Sequence, residues 1–456
     1  MRRVVKVSRI RIIITIIVVV LTTLLTGCTG KEPNEIAYVV ALGIDSTDDD
    51  NYKITIQYAN TTQISGGASE SGGKAGSEIV DNVTIEAPNI YAGVGLANNI
   101  VSKSFSMSHA KLIVFSKEIA EKGVKDMIET LVRSEEIRPD VFIAVANTTA
   151  NDYLTSVNPE MEVNPAQYYQ LIYQKNQLVG IPDGQLREFF TGLYTDNYDS
   201  ILPVAGVIEG SGSNRQNDDK GQSKDGQNEG SEGSSESLDS FESKSSDDKD
   251  ENEKEKDAEK NTSKYEYDIK NYVGGETAIE KKNKAEAIGA AVFEKDKMVG
   301  ELGEVETEIF KMLKGDYTYS YLTYYNNDTP DIPITVKTTQ QKKPKYKIDT
   351  DKKTVDIELY IESDLYSLPA DYNVENKIED FERDVANYTS SACTEFINNF
   401  TKKYNSDILK LNEKVKYKFL TNNQYNWFKK NVGWSEYKFS VCTNFKVRRT
   451  GLIVRE

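Results

Sequence analysis

A long polar segment divides this chain into two stretches that can fold. Residues 209–264 contain 17 acidic and 9 basic side chains, and most of their other residues are Ser, Gly, Asn or Gln. Leu238, Phe241 and Ala258 are the segment's only hydrophobic residues. So little apolar surface cannot offset the entropy that is lost when a chain becomes ordered. We therefore predict that this segment, which carries half of the chain's formal net charge of −16, is disordered.

The N terminus has the pattern of an export signal. Five basic residues lie between positions 2 and 11, and a mostly apolar run follows at 12–25. This run has the length of a long signal-peptide core and is short for a membrane-spanning helix. It leads into Leu25-Thr26-Gly27-Cys28, in which small residues precede a cysteine as in a lipobox. We predict cleavage before Cys28 and a diacylglyceryl group on its thiol. The alternative is an uncleaved anchor with an incidental cysteine.

Few residue types remain for metal or covalent chemistry. The other cysteines, Cys393 and Cys442, could form a disulfide outside the cytoplasm or remain as two buried thiols. The sequence has no Cys-x-x-Cys pair, no Cys/His cluster and no phosphate-binding loop. His109 is the single histidine, and its place at the start of an apolar strand favours a structural role. We therefore predict no catalytic residue, no metal and no cofactor, and we assign no ligand-binding residue.

Hydrophobic periodicity predicts both strands and helices on each side of the polar segment. Residues 36–45 and 52–58 predict a hairpin, and residues 117–134 predict one continuous helix. From Val374 to about residue 403, apolar residues recur in steps of three and four, which predicts a long amphipathic helix. The alternating residues 414–420 predict a strand.

These elements predict an α+β fold of three mixed domains, in which antiparallel or mixed sheets pack against helices. The predicted ranges are a signal peptide at 1–27, an N-terminal domain at 28–160, a middle domain at 161–340 that contains the polar segment, and a C-terminal domain at 341–456 with the long helix. Trp427 and Trp434 are interpreted as core residues of this last domain. The acidic balance, with a pI near 4.9, gives no support for nucleic-acid binding.

Several stretches, in this order, resemble the Ger(x)C lipoproteins, which are the C subunits of spore germinant receptors. The stretches that carry the resemblance are Leu25 to Cys28, Ala41-Leu-Gly-Ile-Asp45, Tyr52 to Gln57, His109 to Val114, Arg133 to Arg138, Gly289 to Phe293, Lys297 to Leu302, and a C-terminal block with Trp427, Trp434, Phe439 and Gly451. The polar segment is a departure, because the family has a shorter connection at that place.

The resemblance implies a non-enzymatic α+β protein that is tethered by lipid to the outer face of the spore inner membrane. It also implies a complex with an integral A subunit and a membrane-embedded B subunit, which senses small nutrients and triggers ion release. Two alternatives remain open at this point. A solute-binding lipoprotein of an importer would have two α/β lobes around a cleft, and a surface hydrolase would have to use His109.

Overall fold

The computed structural model describes most of the chain outside the polar segment. The described residues are 13–18, 35–49, 51–59, 80–157, 164–174, 180–195, 197–208, 271–277, 283–326, 329–367 and 377–450. Cys28 and the polar segment 209–264 lie outside these ranges, and so does the signal peptide apart from residues 13–18. The predictions for these parts of the chain therefore remain predictions.

A mixed sheet, here called sheet 1, has nine strands within the described residues. Its strands are β1 (Ile36–Ser46), β2 (Tyr52–Ala59), β3 (Val80–Ala87), β4 (Ser104–Ser106), β5 (Leu112–Ser116), β6 (Phe142–Ala146), β7 (Ile201–Val207), β8 (Ala285–Glu294) and β9 (Lys297–Leu302). Their order is β3-β2-β1-β5-β6-β7-β8-β9, and β4 pairs separately with β1. The four central strands β1, β5, β6 and β7 are parallel, while antiparallel strands complete both sides. The predicted hairpin of β1 and β2 is confirmed.

Helices cover both faces of sheet 1. They are α1 (Ile90–Ala97), α2 (Lys117–Lys122), α3 (Lys125–Val132), α4 (Ala150–Ser156), α5 (Pro165–Gln174) and α6 (Leu186–Thr195). One apolar cluster includes Ile90 of α1, Ile128 of α3 and Phe189 of α6, and the cluster on the other face includes Tyr153 of α4 and Tyr169 of α5. Burial on both faces explains why the central parallel strands read as continuous apolar runs.

The helix predicted at 117–134 is interrupted between α2 and α3. Gly123 has a φ of 126°, a backbone conformation that other residues rarely adopt. The next residue, Val124, donates its backbone N–H to the carbonyl oxygen of Asp296 in the turn between β8 and β9, at 3.0 Å. The apolar residues that predicted one helix are still buried, but they lie on two helices. The hydrogen bond to Asp296 is made at the break between these helices.

A second sheet, called sheet 2, has five strands within the described residues. The strands are β10 (Tyr319–Asn326), β11 (Thr329–Gln340), β12 (Lys345–Asp349), β13 (Thr354–Ser367) and β14 (Lys438–Arg449). Helix α7 (Glu304–Lys314) connects β9 of sheet 1 to β10 of sheet 2. Three further helices follow β13, namely α8 (Ile378–Tyr404), α9 (Leu411–Val415) and α10 (Asn422–Asn431).

These elements confirm the α+β class and the long C-terminal helix, which is α8. The strand predicted at 414–420 is wrong, because these residues contain the end of α9 and a 3₁₀ turn at Lys416–Lys418. Asp407 explains the difference, since its carboxylate accepts hydrogen bonds from the backbone N–H groups of Leu411 and Asn412 and so begins a helix. The domain boundaries remain predictions, although sheet 1 contains strands on both sides of the predicted boundary at residue 160.

Polar side chains of α8 cover the edge of β14. Strand β14 pairs with β13 on one side, and its backbone N–H groups on the other side face the helix. Asn398, Thr394 and Ser390 accept hydrogen bonds from the backbone N–H groups of residues 439, 441 and 443, at 3.1, 3.0 and 2.9 Å. Four helical residues rise about 6 Å and two strand residues about 6.6 Å, so the two series stay in step. The helix thereby protects an edge that could otherwise pair with another chain.

No helix among the described residues combines the length and the apolar composition needed to cross a membrane.

Replacement of Asn398 by Ala tests this edge. The Asn398 amide also donates to the carbonyl oxygen of Phe439 at 3.0 Å, so the change removes two hydrogen bonds to one strand residue. We expect the free energy of unfolding, measured with urea, to fall by about 1–3 kcal/mol. The neighbouring Asn399 is exposed, and Asn399→Ala is the matched control, for which we expect a change below about 0.5 kcal/mol. Equal effects of the two changes would contradict this account of the edge.

Candidate functional site: a charged cleft between the two sheets

Helix α7 and the strands that follow it border a cleft of about 690 Å³. The cleft lies between sheet 1 and sheet 2, and it is lined by the loop before α6, the last turn of α7, the start of β10 and the end of β11. Its lining residues include Ile181, Asp183, Phe310, Lys311, Lys314, Asp316, Tyr317, Tyr319, Lys337 and Gln340. Cations, carboxylates and aromatic rings therefore meet in one place.

The ends of α7 place two lysines at the cleft. Glu306 accepts a hydrogen bond from the backbone N–H of Gly303 at 3.0 Å, which fixes the first turn, and Gly315 donates its N–H to Lys311 at the other end. Lys311 and Lys314 consequently lie in the last turn, where the helix dipole favours positive charge.

The charges at the cleft are matched by nearby groups of opposite sign. Lys314 lies 3.0 Å from Asp316 and 3.9 Å from Glu188 of α6. The buried Lys311 donates to the carbonyl oxygen of Ile181 at 3.1 Å, and burial lowers the pKa of its ammonium group to about 8. Burial also raises the pKa of Asp183. Most of the charged groups at the cleft are therefore paired with other groups of the protein.

A second group of contacts continues from the cleft to the segment after α8. Lys410 lies 2.6 Å from Glu188, and its ammonium is 4.1 Å from the centre of the Tyr198 ring. Asp199 donates its backbone N–H to the carbonyl oxygen of Asp407, and its carboxylate accepts the backbone N–H of Asp407 at 2.9 Å. Burial raises the pKa of the Asp407 carboxyl to about 7, although its two backbone donors act in the opposite direction. These contacts hold the C-terminal segment against the end of sheet 1.

The charged and aromatic side chains at the cleft are the elements of a binding or packing surface. Among the described residues, no group of three or more His, Cys, Asp or Glu side chains could hold a metal. His109 lies far along the chain from the cleft residues, in a 3₁₀ turn, where Ser108 Oγ is 3.0 Å from its Nδ1 and the Tyr38 ring contacts its edge. The structural role that the sequence indicates for this histidine stays a prediction.

The remaining residues singled out in the sequence have mixed outcomes. Cys28 lies outside the described residues. Cys393 is buried and Cys442 exposed, and both are free thiols, so they do not form a disulfide. Trp434 is a core residue with 2% of its surface exposed, as predicted, but Trp427 is 68% exposed and its assignment to the core is wrong.

Two residues of the Ala41-Leu-Gly-Ile-Asp45 stretch attach α4 to sheet 1. The Asp45 carboxylate accepts the backbone N–H groups of Ala150 and Asn151 at 2.6 and 3.0 Å. A Cβ atom at Gly43 would lie only 3.0 Å from Leu154 Cδ1 and 3.1 Å from Ala150 Cβ, so a larger residue here would require α4 or its side chains to shift. This stretch therefore has a packing role.

Sequence reasoning does not identify the cleft. It assigns no ligand-binding role to Lys311, Lys314 or Glu188. The one available signal is the pattern of first-turn acids and last-turn lysines in α7, which predicts the helix ends but not what they face.

Two protein-family models match this chain. A model described as a spore germination protein N-terminal domain matches residues 30–207, and one described as spore germination B3/GerAC like, C-terminal, matches residues 288–451. The chain belongs to the Ger(x)C spore germination family. The junction between the matched regions falls between β7 and β8, which are paired strands of sheet 1. The two family regions thus share one sheet.

Curated relatives agree with this assignment over part of their length. Spore germination protein KC of Bacillus subtilis (strain 168) is 26% identical over 174 residues, which cover 35% of this chain and 42% of the relative. Spore germination protein B3 of the same organism is 26% identical over 148 residues, which cover 30% of this chain and 36% of the relative. The matched segments thus span less than half of each relative. A crystal structure of the GerBC protein is similar with a TM-score of 0.47 and 15% identity, covering 89% of this chain and 96% of the other.

The pH dependence of stability tests the environment beside the cleft. Tyr317 donates a hydrogen bond to Glu308 at 3.2 Å, and burial raises the pKa of the Glu308 carboxyl from 4.5 to about 7. Between these pH values the folded state retains a proton that the unfolded state has lost, so this group lowers the free energy of unfolding as the pH rises. The variant Glu308→Gln lacks this titrating carboxyl. As the pH rises from 4.5 to 7, we therefore expect the free energy of unfolding of the parent to fall by about 1–3 kcal/mol relative to that of the variant.

Urea unfolding at several pH values measures this difference. The exposed Glu395 provides the matched control variant, Glu395→Gln, which also replaces one carboxylate by an amide. Parallel profiles for Glu308→Gln and the parent protein would show that Glu308 does not titrate in this range.

Proposed function

We propose that this protein is a lipid-anchored, non-enzymatic subunit of a spore germinant receptor, held at the outer face of the spore inner membrane. The observation that carries the proposal is the family match over both regions, residues 30–207 and 288–451. These regions include nearly all of the described residues, so the family resemblance extends over both sheets. The sequence around Cys28 supplies the means of attachment.

The proposed anchor would hold the folded body close to the bilayer. A diacylglyceryl cysteine brings two acyl chains, and two hydrophobic anchors give stable membrane residence where one does not. Strand β1 begins at Ile36, eight residues after Cys28. Because an extended chain spans at most about 3.5 Å per residue, sheet 1 would begin within about 30 Å of the lipid.

The proposed partners are an integral A subunit and a membrane-embedded B subunit. Confinement to the same membrane raises the effective concentration of each partner, so even modest contacts would hold the complex together. The matched charges of the cleft support a role in assembly and positioning, because its cations and carboxylates already pair with one another.

The importer alternative has less support. It predicted two α/β lobes around a cleft, but within the described residues only sheet 1 has helices on both faces. In sheet 2, one face of β13 presents polar residues that pair across strands, such as Asp356 with Ser440 and Glu358 with Asn444. This second sheet therefore does not resemble an α/β lobe.

Replacement of Cys28 by Ala tests the anchor. We expect the variant to lose incorporation of labelled fatty acid and the normal cleavage, because the thiol that receives the lipid is absent. Gel analysis of labelled protein and the mass of the mature N terminus measure the two effects. Cys442→Ala, which removes an exposed free thiol, is the matched control and should be lipidated normally. Normal processing and labelling of Cys28→Ala would refute the lipobox.

Purification from spore membranes tests the complex. We expect the tagged protein, extracted in mild detergent, to carry the integral A and B subunits with it. Recovery of these subunits should fall for Cys28→Ala because the protein is no longer confined to their membrane. Co-purification of a transport ATPase and its permease would instead support the importer alternative.

A further inference from the structure

The helical segment after α8 exposes a group of large apolar side chains that do not contribute to the core. Leu420 is 95% exposed, Tyr417 80% and Trp427 68%. Leu420 and Tyr417 are the two most exposed large hydrophobic side chains among the described residues. Such exposure is unfavourable for an isolated protein, and a cluster of this kind indicates an interaction surface.

The three side chains belong to one local structure. The ring of Phe419 lies 4.9 Å from that of Phe428 and 5.9 Å from that of Tyr425, so the chain before α10 packs back onto this helix. Tyr425 is buried, and Trp427, two residues later, projects from the opposite side of the helix. The segment therefore has an inner aromatic side that stabilises it and an outer side whose apolar groups face solvent.

The charge of this segment is opposite to that of the whole chain. Residues 414–435 contain five lysines and no acidic residue, whereas the chain has a formal net charge of −16. Lys416 and Lys430 are exposed; Lys416 precedes Tyr417 in the chain, and Lys430 lies three residues after Trp427 in α10. The Lys418 ammonium instead donates to the carbonyl oxygen of Ile348. We call Lys416, Tyr417, Leu420, Trp427 and Lys430 the basic–aromatic surface.

We propose that the basic–aromatic surface binds an anionic lipid bilayer, with Trp427, Tyr417 and Leu420 in the interfacial region and the lysines on the lipid headgroups. Trp and Tyr side chains suit the boundary between water and hydrocarbon, and clustered lysines are attracted to an anionic lipid surface. Three large apolar side chains are few for a stable protein interface, which buries about 1,200–2,000 Å². They suffice for a weak membrane contact when a second anchor is present.

This inference rests on the proposed function only for its second anchor, the lipid on Cys28. With both contacts in place, the body would lie against the bilayer with the segment around α10 facing the membrane. One covalent anchor would leave the body free to rotate, and the second contact would remove that freedom.

The two tryptophans make the contact directly measurable. Trp427 is exposed and Trp434 is buried, so quenching by lipids with brominated acyl chains reports on Trp427, while Trp427→Phe leaves the signal of Trp434 alone. The lipidated full-length protein is reconstituted with brominated vesicles that contain either phosphatidylglycerol and phosphatidylcholine or phosphatidylcholine alone. We expect quenching in the anionic vesicles, little in the neutral ones, and none for Trp427→Phe. Raising the salt concentration to about 1 M, where the screening length is about 3 Å, should reverse the quenching.

Charge reversal provides the matched test. Lys416→Glu with Lys430→Glu should abolish quenching in anionic vesicles. Lys125→Glu with Lys284→Glu changes two exposed lysines beside elements of sheet 1 and produces the same net charge, so it should quench like the parent protein.

The outcomes separate this inference from the proposed anchor. Failure of the protein to sediment with either kind of vesicle contradicts the anchor at Cys28. Sedimentation without quenching of Trp427, or equal quenching in neutral vesicles, overturns the basic–aromatic surface as an anionic-lipid site and leaves the anchor intact. Protection of Trp427 only when the integral subunits are added would also overturn it, because the surface would then bind protein.

Discussion

The pairing of β7 with β8 is the interaction on which the rest of the architecture depends. It joins the N-terminal family region to the C-terminal one, with Ile201 opposite Val292 and Val207 opposite Ala285. Without it the parallel strands of sheet 1 would end at an open edge, and α7 would not be placed beside sheet 2. The long connection between these strands is tolerated because loop-closure entropy grows slowly, by about 0.6 kcal/mol for each doubling of length. A large polar segment can therefore interrupt the sequence without interrupting the sheet.

Sheet 2 also has a strand with an unpaired edge, and a helix covers that edge. Its strand β14 pairs in parallel with β13 and would otherwise expose a long unpaired edge. Helix α8 supplies acceptors in place of a further strand, and Glu382 extends the series by accepting the backbone N–H of Val447 at 2.9 Å. The same helix buries Phe381 and Val385, so one amphipathic element provides both apolar burial and edge protection. This dual use explains why its packed side includes Asn, Thr and Ser.

The distribution of charge has two distinct consequences. At and beside the cleft, Lys314 and Lys410 form ion pairs with Glu188, and these contacts connect α6 to α7 and to the segment after α8. Residues 414–435 carry lysines and no acidic residue beside exposed aromatic and aliphatic side chains, and this combination is the basis of the inferred contact with an anionic bilayer. The proposed lipid tether at Cys28 would fix distance but not orientation, and a second contact of this kind would restrict the orientation. The inferred membrane contact and the proposed receptor role thus concern different parts of one chain.

The sequence by itself determined the α+β class, the β1–β2 hairpin and the helix at α8, because apolar periodicity over such lengths reports burial directly. It also identified Cys28 as the place of lipid attachment, which remains a prediction. Tertiary structure decided the rest. Residues 414–420 alternate like a strand, yet they contain the end of a helix that begins at Leu411, where Asp407 accepts a backbone N–H. The sequence also could not distinguish the buried Trp434 from the exposed Trp427. Periodicity shows which side of an element is apolar, but only the folded chain decides whether another element covers that side.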